Sequence, residues 1–281
     1  MSTNDVTPPS RLWLVFNESS RSTDDVALSR IIETIDDLGW TLVGRTCFPD
    51  GDLPPQSSLE AQSVDTLVAL GGDGTITCAA SRYDEWDGRI LALAGGTMNL
   101  VPKILYPDID HETVLRAVAK RPRTRILPFI ACQGHASFAR LIAGPVAGFV
   151  HVRENVRSAD LHRAWRALRF AWRLTFTRSV RIRNAEGRYR AVFAKPMSDN
   201  EMEIDAISSR GWGTSLKVAW SWLRGLFTDL RLPVDHADEE LVLLSDHPIR
   251  ALFDGEERLL DPPAHLTVET TRITFFTTES S

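Results

Sequence analysis

Short apolar runs alternate with helical stripes along the first 125 residues. Leu12, Trp13, Leu14, Val15 and Phe16 form an unbroken apolar run bounded by turn residues, the mark of a buried strand. Leu28, Ile31, Ile32, Ile35 and Leu38 then recur at helical spacing, with Asp24 or Asp25 as the cap and Gly39 as the stop. Further strands are predicted at 40–43, 66–70 and 90–94, and Asp110 caps a helix through Val114, Leu115 and Val118. Residues 49–64 read as a polar, Pro-containing connection with room for one short helix, and 1–10 as a disordered tail. Buried strands alternating with helices predict an α/β domain with a parallel sheet over 11–125. Ligands of such sheets bind at the carboxyl ends of the strands. Asn17 and the turns at 71–75 and 95–99 all follow strands, so they are expected on one edge.

The rhythm changes after residue 125. Short β-like stretches dominate at 125–130, 180–183, 189–193, 202–207, 240–244, 250–253, 265–269 and 273–276. They predict an antiparallel β-sandwich over 126–281, interrupted by helical inserts near 158–177 and 214–228.

Composition narrows the classes. With 43 % hydrophobic and 25 % charged residues among 281, the chain is ordinary globular protein. A net charge of −5 gives no reason to expect nucleic acid as partner. Cys47, Cys78 and Cys132 lack metal-ligand or disulfide-framework spacing and fit a reducing cytoplasm. The first ten residues lack the basic and apolar segments of a signal peptide. No apolar run approaches the ~20 residues of a membrane span, so membrane contact is expected to be peripheral.

The candidate chemistry begins at the Gly-Gly-Asp-Gly-Thr turn of residues 71–75, directly after an apolar strand. Gly71, Gly72 and Gly74 let backbone approach a ligand closely, and amides at a helix start suit phosphate. Asp73 would repel phosphate unless it serves a metal, a sugar hydroxyl or a proton transfer. Three other pieces stand apart in sequence. They are Phe-Asn-Glu-Ser-Ser-Arg at 16–21, Gly-Gly-Thr-Met-Asn at 95–99 and Phe-Asp-Gly-Glu at 253–256. There is no P-loop Gly-x-x-x-x-Gly-Lys-Ser/Thr and no His-Arg-Asp loop of protein kinases.

In order and spacing the four pieces resemble the diacylglycerol kinase catalytic-domain family, from about residue 11 to 277. That family includes bacterial lipid kinases and sphingosine and ceramide kinases. The first glycine-rich turn alone is shared with NAD kinases; the Gly-Thr-x-Asn and Asp-Gly-Glu elements favour lipid kinases. The resemblance implies a nucleotide-binding α/β domain followed by a lipid-substrate β-sandwich, with the active site between them. It implies ATP and Mg²⁺, and γ-phosphoryl transfer to a lipid hydroxyl. Asn17, Ser20, Thr46, Gly71, Gly72, Gly74, Thr75, Thr97, Asn99 and Asp254 become nucleotide-site residues. Glu18 and Arg21 replace the proline and glycine usual around Ser20. Glu256 is the implied proton acceptor, with Asp73 organising metal and nucleotide; in the sphingosine kinase branch the aspartate of the glycine-rich turn, Asp73 here, is the acceptor. Asp199, in Met-Ser-Asp-Asn-Glu at 197–201, is a second metal candidate.

Residues 151–190 carry eleven Arg against Glu154, Asp160 and Glu186. Leu161, Trp165, Leu168, Trp172 and Phe176 form one helical stripe beside Arg166, Arg169 and Arg173. The stripe serves either as packing on the sandwich or as a dock on an anionic membrane. A cytoplasmic protein peripherally bound to the inner face of the membrane is the expectation, with a membrane lipid as substrate. A second insert with Trp212, Trp220, Trp222, Leu223, Leu226 and Phe227 is either a lid or acyl pocket, or core. The lipid headgroup and a homodimer are left open. NAD kinase-like phosphorylation of a soluble substrate and an inactive nucleotide-binding regulator are the alternatives.

Overall fold

The computed structural model describes residues 6–17, 25–96, 99–107, 109–145, 147, 179–198, 200–208, 237–238 and 240–278. Ser20, Asp24, Thr97, Asp199 and both helical inserts lie outside the described residues, and Asp25, the other predicted cap, is the first residue of the helix itself.

The chain divides into two compact units, 1–127 with 270–281, and 128–269. The first unit alternates strand and helix. In chain order it has β1 (Arg11–Phe16), α1 (Asp25–Asp37), β2 (Thr41–Cys47), α2 (Gln56–Ala61), β3 (Thr66–Gly71), α3 (Asp73–Arg82) and β4 (Arg89–Ala94). Then come α4 (Leu100–Leu105), α5 (His111–Lys120) and β5 (Thr124–Arg125). β1 pairs in parallel with β2 and β3, and β3 with β4. Every residue of β3 is buried, as expected of a strand covered on both faces.

Local chemistry explains the helix ends. Gly39, at φ +72, takes the left-handed position that stops α1. Its N–H donates to Asp36 O at 2.9 Å, and Trp40 N–H to Ile35 O at 3.1 Å. Ile31 and Ile35 of α1 are buried in the unit's core. The Asp110 carboxylate accepts the Thr113 N–H at 3.0 Å and its hydroxyl at 2.7 Å, which caps α5 and lowers the Asp110 pKa.

The second unit is antiparallel. It contains β6 (Pro128–Cys132), β7 (His135–Ser137), β8 (Leu141–Ala143), β9 (Arg181–Ile182), β10 (Tyr189–Ser198) and β11 (Glu201–Ser208). β12 (Ala237–Asp238), β13 (Glu240–Leu244), β14 (Ile249–Phe253), β15 (Glu256–Leu260) and β16 (Ala264–Thr270) follow. One sheet runs β12-β11-β10-β8-β14-β15 and the other β7-β6-β16-β13-β9. Ile130, Leu243 and Leu266 of one sheet share a buried core with Leu141, Val192, Met202 and Phe253 of the other.

Two features correct the boundary expected from sequence. The stretch predicted as one strand at 125–130 is two: β5 completes the first unit's sheet and β6 starts the second unit. The final strand β17 (Thr274–Phe276), expected in the sandwich, lies in the first sheet between β4 and β5. It pairs in parallel with β4 and antiparallel with β5, and Phe275 and Phe276 are fully buried there. A three-residue run has no periodicity that names its sheet. Where the chain leaves and re-enters the first unit, Leu127 and Thr271 clasp each other. Leu127 N–H donates to Thr271 Oγ1 at 3.1 Å, and Thr271 N–H to Leu127 O at 3.0 Å.

Phe275→Ala removes a fully buried ring from an interior strand, and it is expected to cost about 3–5 kcal/mol of unfolding free energy by chemical denaturation. A loss below about 1 kcal/mol would show that β17 is dispensable to the first sheet.

Candidate functional site

The site is built at the carboxyl ends of β1, β3 and β4. β1 ends at Phe16, and the Asn17 N–H donates to Leu70 O at 3.1 Å, so Asn17 flanks the first glycine turn. Gly71 must be glycine because a Cβ there would sit 2.8 Å from Thr75 Oγ1. Thr75 is buried, its side chain folded back under Gly71. Gly72 is the N-cap of α3, and its carbonyl accepts the Thr75 N–H at 3.0 Å and the Ile76 N–H at 3.3 Å. Asp73 and Gly74 open the helix, so the first-turn amides of α3 stand where an anion is favoured.

The second glycine turn is held against the first. Gly95 N–H donates to Gly71 O at 2.8 Å, which carries the β3–β4 ladder into the turns. A Cβ on Gly96 would lie 2.5 Å from the Gly72 Cα, so the two backbones touch only because Gly96 has no side chain. Asn99 closes the turn: its Oδ1 accepts the Gly96 N–H at 2.7 Å. Its backbone, at φ 51 and ψ 47, is the left-handed conformation that asparagine tolerates better than most residues.

Asp73 is only 4 % exposed. Its Oδ1 accepts the Val101 N–H of α4 at 2.8 Å, which ties the helix after one glycine turn to the helix after the other. A carboxylate so placed is a clasp between loops. Among the described residues no group of three or more His, Cys, Asp or Glu side chains could hold a metal. A Mg²⁺ held mainly by phosphates and water would ask this edge for only one or two protein carboxylates, and Asp73 is the one at the turn. The paired glycine backbones and the α3 amides fit a nucleotide's phosphates.

Thr46, near the end of β2, is engaged by Trp13, whose Nε1–H donates to Thr46 Oγ1 at 3.0 Å. The same indole lies over Gly44, where a Cβ would come within 2.5 Å of the ring. Sequence reading passed over Trp13, although a lone glycine inside a strand is the signal of such a close approach. It also passed over His111. Its Nε2 lies 2.7 Å from Ala94 O and, as the donor, anchors the residue just before the second turn. A histidine at the start of a helix carries no such signal in sequence.

Asp254 and Glu256 belong to the second unit. The Asp254 carboxylate is 6 % exposed and accepts hydrogen bonds from Ser137, Phe138, Ala139 and Arg140. Burial pushes its pKa above the usual carboxylate range, and the hydrogen bonds act in the opposite sense. Expected from sequence as a nucleotide-site residue, Asp254 spends its acceptors inside its own unit. Glu256 is 46 % exposed and pairs with Arg258 at 2.7 Å on the same face of β15. Glu257, on the other face, pairs with Arg250. Thus Asn17, Thr46, Gly71, Gly72, Asp73, Gly74, Thr75 and Asn99 gather at one sheet edge, while Asp254 and Glu256 share a hairpin in the other unit.

Residues 11–127 match the diacylglycerol kinase catalytic domain. An NAD kinase from Teredinibacter turnerae is 34 % identical over 68 residues, which is 24 % of this chain and 23 % of that protein. A solved candidate diacylglycerol kinase from Bacillus anthracis is 14 % identical, with TM-score 0.63 over 96 % of this chain and 97 % of that one. A further Bacillus anthracis structure of that description has TM-score 0.65 over 97 % and 98 %, again at 14 % identity. The likeness to the solved structures shows the fold, a unit with a parallel sheet and a unit of antiparallel sheets. The family match, over residues 11–127, is to a catalytic domain of the kinase type.

The two touching glycines are predicted to differ sharply. Gly96→Ala is expected to lower the melting temperature through a clash worth ~1–3 kcal/mol. Gly72→Ala, where a Cβ would meet Gly96 Cα only at 3.6 Å, should melt within a degree or two of wild type. Equal melting of the two variants would show that the backbones do not touch in solution. Asp73→Ala should cost ~1–3 kcal/mol by leaving the Val101 N–H unpaired, and Asp73→Asn, which keeps an acceptor, about half of that or less. Denaturant midpoints read the pair.

Proposed function

We propose that this chain, whose residues 11–127 match the diacylglycerol kinase catalytic-domain family, is a lipid kinase that transfers the γ-phosphoryl group of ATP to a lipid hydroxyl. The observation that carries the reading is the pair of touching glycine turns at the ends of adjacent parallel strands. They offer backbone amides and the start of α3 to an anion, without a P-loop. The lipid acceptor is supported by the Gly-Thr-Met-Asn and Asp-Gly-Glu elements and by the description of the Bacillus anthracis relatives as diacylglycerol kinases.

In this reading Gly71, Gly72, Gly74 and the first-turn amides of α3 bind the phosphates. Asn17, Thr46, Thr75 and Asn99 shape the nucleotide pocket around them, and the family resemblance adds Ser20 and Thr97 as nucleotide-site residues. Asp73 holds the two turns in register and lends one carboxylate edge to the metal. Mg²⁺, when bound, neutralises phosphate charge and aligns the transferring group. The bond between the γ-phosphorus and its bridging oxygen breaks, and a new bond forms to the lipid oxygen. Glu256 takes the hydroxyl proton, and ADP leaves. Positioning and charge neutralisation supply most of the rate, so a half-exposed carboxylate suffices as acceptor. Membrane contact follows from the acceptor's location. The eleven Arg of 151–190 give that stretch a charge suited to an anionic leaflet, where each basic residue near the surface adds on the order of 1 kcal/mol.

A second reading has its own support. The match to an NAD kinase over 68 residues favours a soluble nucleotide as acceptor. One experiment separates the two. With γ-labelled ATP and Mg²⁺, label is expected in a lipid from a mixed panel of diacylglycerol, sphingoid base and ceramide. Label in NAD without any lipid establishes the second reading, and label in neither acceptor removes both. Glu256→Gln is expected to reduce transfer ~10²–10⁴-fold while leaving equilibrium ATP affinity unchanged. Full activity in Glu256→Gln alongside an inactive Asp73→Asn would hand the proton to Asp73.

A further inference from the structure

Asp-Gly-Glu sets Asp254 two residues before Glu256, yet its surroundings give it other work. Its carboxylate accepts Ser137 Oγ–H at 2.8 Å and the N–H groups of Phe138 at 2.7 Å, Ala139 at 2.9 Å and Arg140 at 2.9 Å. Its own N–H donates to Arg140 O at 3.2 Å, so the two segments bond reciprocally. Three successive backbone N–H groups converging on one anion form a nest. This nest lies in the link between β7, which ends at Ser137, and β8, which starts at Leu141. The chain fills it with a residue more than a hundred positions away.

That residue is the first of the two that turn β14 into β15. Asp254 at φ 50 and Gly255 at φ 99 are both left-handed, as a two-residue hairpin loop of type I′ requires. Phe253 pairs with Glu256 across the hairpin and with Leu141 on the other side, so the nest and the hairpin mouth share one rung. Glu256 follows the turn directly. Its half-exposed side chain is held by Arg258, an exposed pair of the kind that contributes little rigidity. Its aim is therefore set by the backbone, and the backbone is set by the turn.

We propose that Asp254 is a positioning residue that acts through Glu256: it fills the 138–140 nest and so locks the turn that presents the proton acceptor. The inference rests on the reading of Glu256 as acceptor. It divides the Asp-Gly-Glu element into a strut, a left-handed pivot and a reacting group. It also takes Asp254 out of nucleotide and metal binding, because its oxygens are already engaged within the unit.

The test empties the nest. Asp254→Gly suits the left-handed backbone and leaves four donors without their anion. The expected result is a melting temperature lower by several degrees and kcat lower by ~10–100-fold, with KM for ATP and equilibrium ATP affinity unchanged. Millimolar sodium formate should restore both melting temperature and kcat, and sodium chloride at equal ionic strength should restore neither. Lost ATP affinity at an unchanged melting temperature overturns the proposal in favour of direct contact. Unimpaired kcat in a destabilised Asp254→Gly also overturns it. If Asp254→Gly does not fold even with formate, Ser137→Ala decides, since it keeps the carboxylate and removes one donor. Reduced kcat at constant KM then supports positioning, and wild-type kcat refutes it. Melting, its rescue by formate and ATP affinity need no turnover, so a wild type that phosphorylates no lipid defeats the functional reading while those three still decide whether Asp254 fills the nest or contacts ATP.

Discussion

Gly72 and Gly96 meet backbone to backbone, at a distance a single methyl on Gly96 would abolish. The rest of the first unit's strand-end edge hangs from that approach. With the turns in contact, the Gly95 N–H can extend the β3–β4 ladder to Gly71 O, and Asp73 can reach the first turn of α4. Asn99 then has to close its own turn in a left-handed conformation, and His111 secures the strand end at Ala94. None of these bonds is strong alone; a typical hydrogen bond contributes ~1 kcal/mol net. Together they leave the two loops few alternative arrangements, which is what a site that binds by backbone needs. Loops that had to be ordered by the ligand would spend part of the binding free energy on that ordering.

Much of this was legible from residue order, because the signals were local. The fully apolar run before Gly71 and the capping Asp110 are readable without knowing what they pack against. So is the stop at Gly39. The glycines at 71, 72 and 96 are readable as backbone requirements, but which needs which is not. Gly71 is small for the sake of Thr75 and Gly96 for the sake of Gly72, and only the fold says so. Asp73 is the sharpest case. A lone carboxylate in a phosphate-type turn invites a catalytic or metal role, and its bond to Val101, twenty-eight residues away, is invisible in the turn itself.

The bonds of Asp254 are hidden from the sequence for a related reason. Asp-Gly is the commonest signature of a tight hairpin turn, and that much was correct. Its four donors come from residues 137–140, which carry no motif because three of the four are backbone amides. Backbone donors leave no trace in side-chain identity, so a carboxylate that serves them looks unemployed. Trp13 over Gly44, with its N–H on Thr46, was missed on other grounds: each residue is ordinary within its own strand, and the meaning lies in the register between β1 and β2.

The strand β17 sets an order of events during biosynthesis. Residues 128–269 are contiguous, so the second unit has all its strands once residue 269 has left the ribosome. The first unit begins earlier in the chain and is finished later. Its sheet has a gap between β4 and β5 until residues 274–276 emerge, and Phe275 and Phe276 are the side chains that fill it. Domains commonly fold in the order in which they are made. Here a segment synthesised after the second unit completes the first, so the first sheet is finished only after the sandwich's sequence is already available to fold.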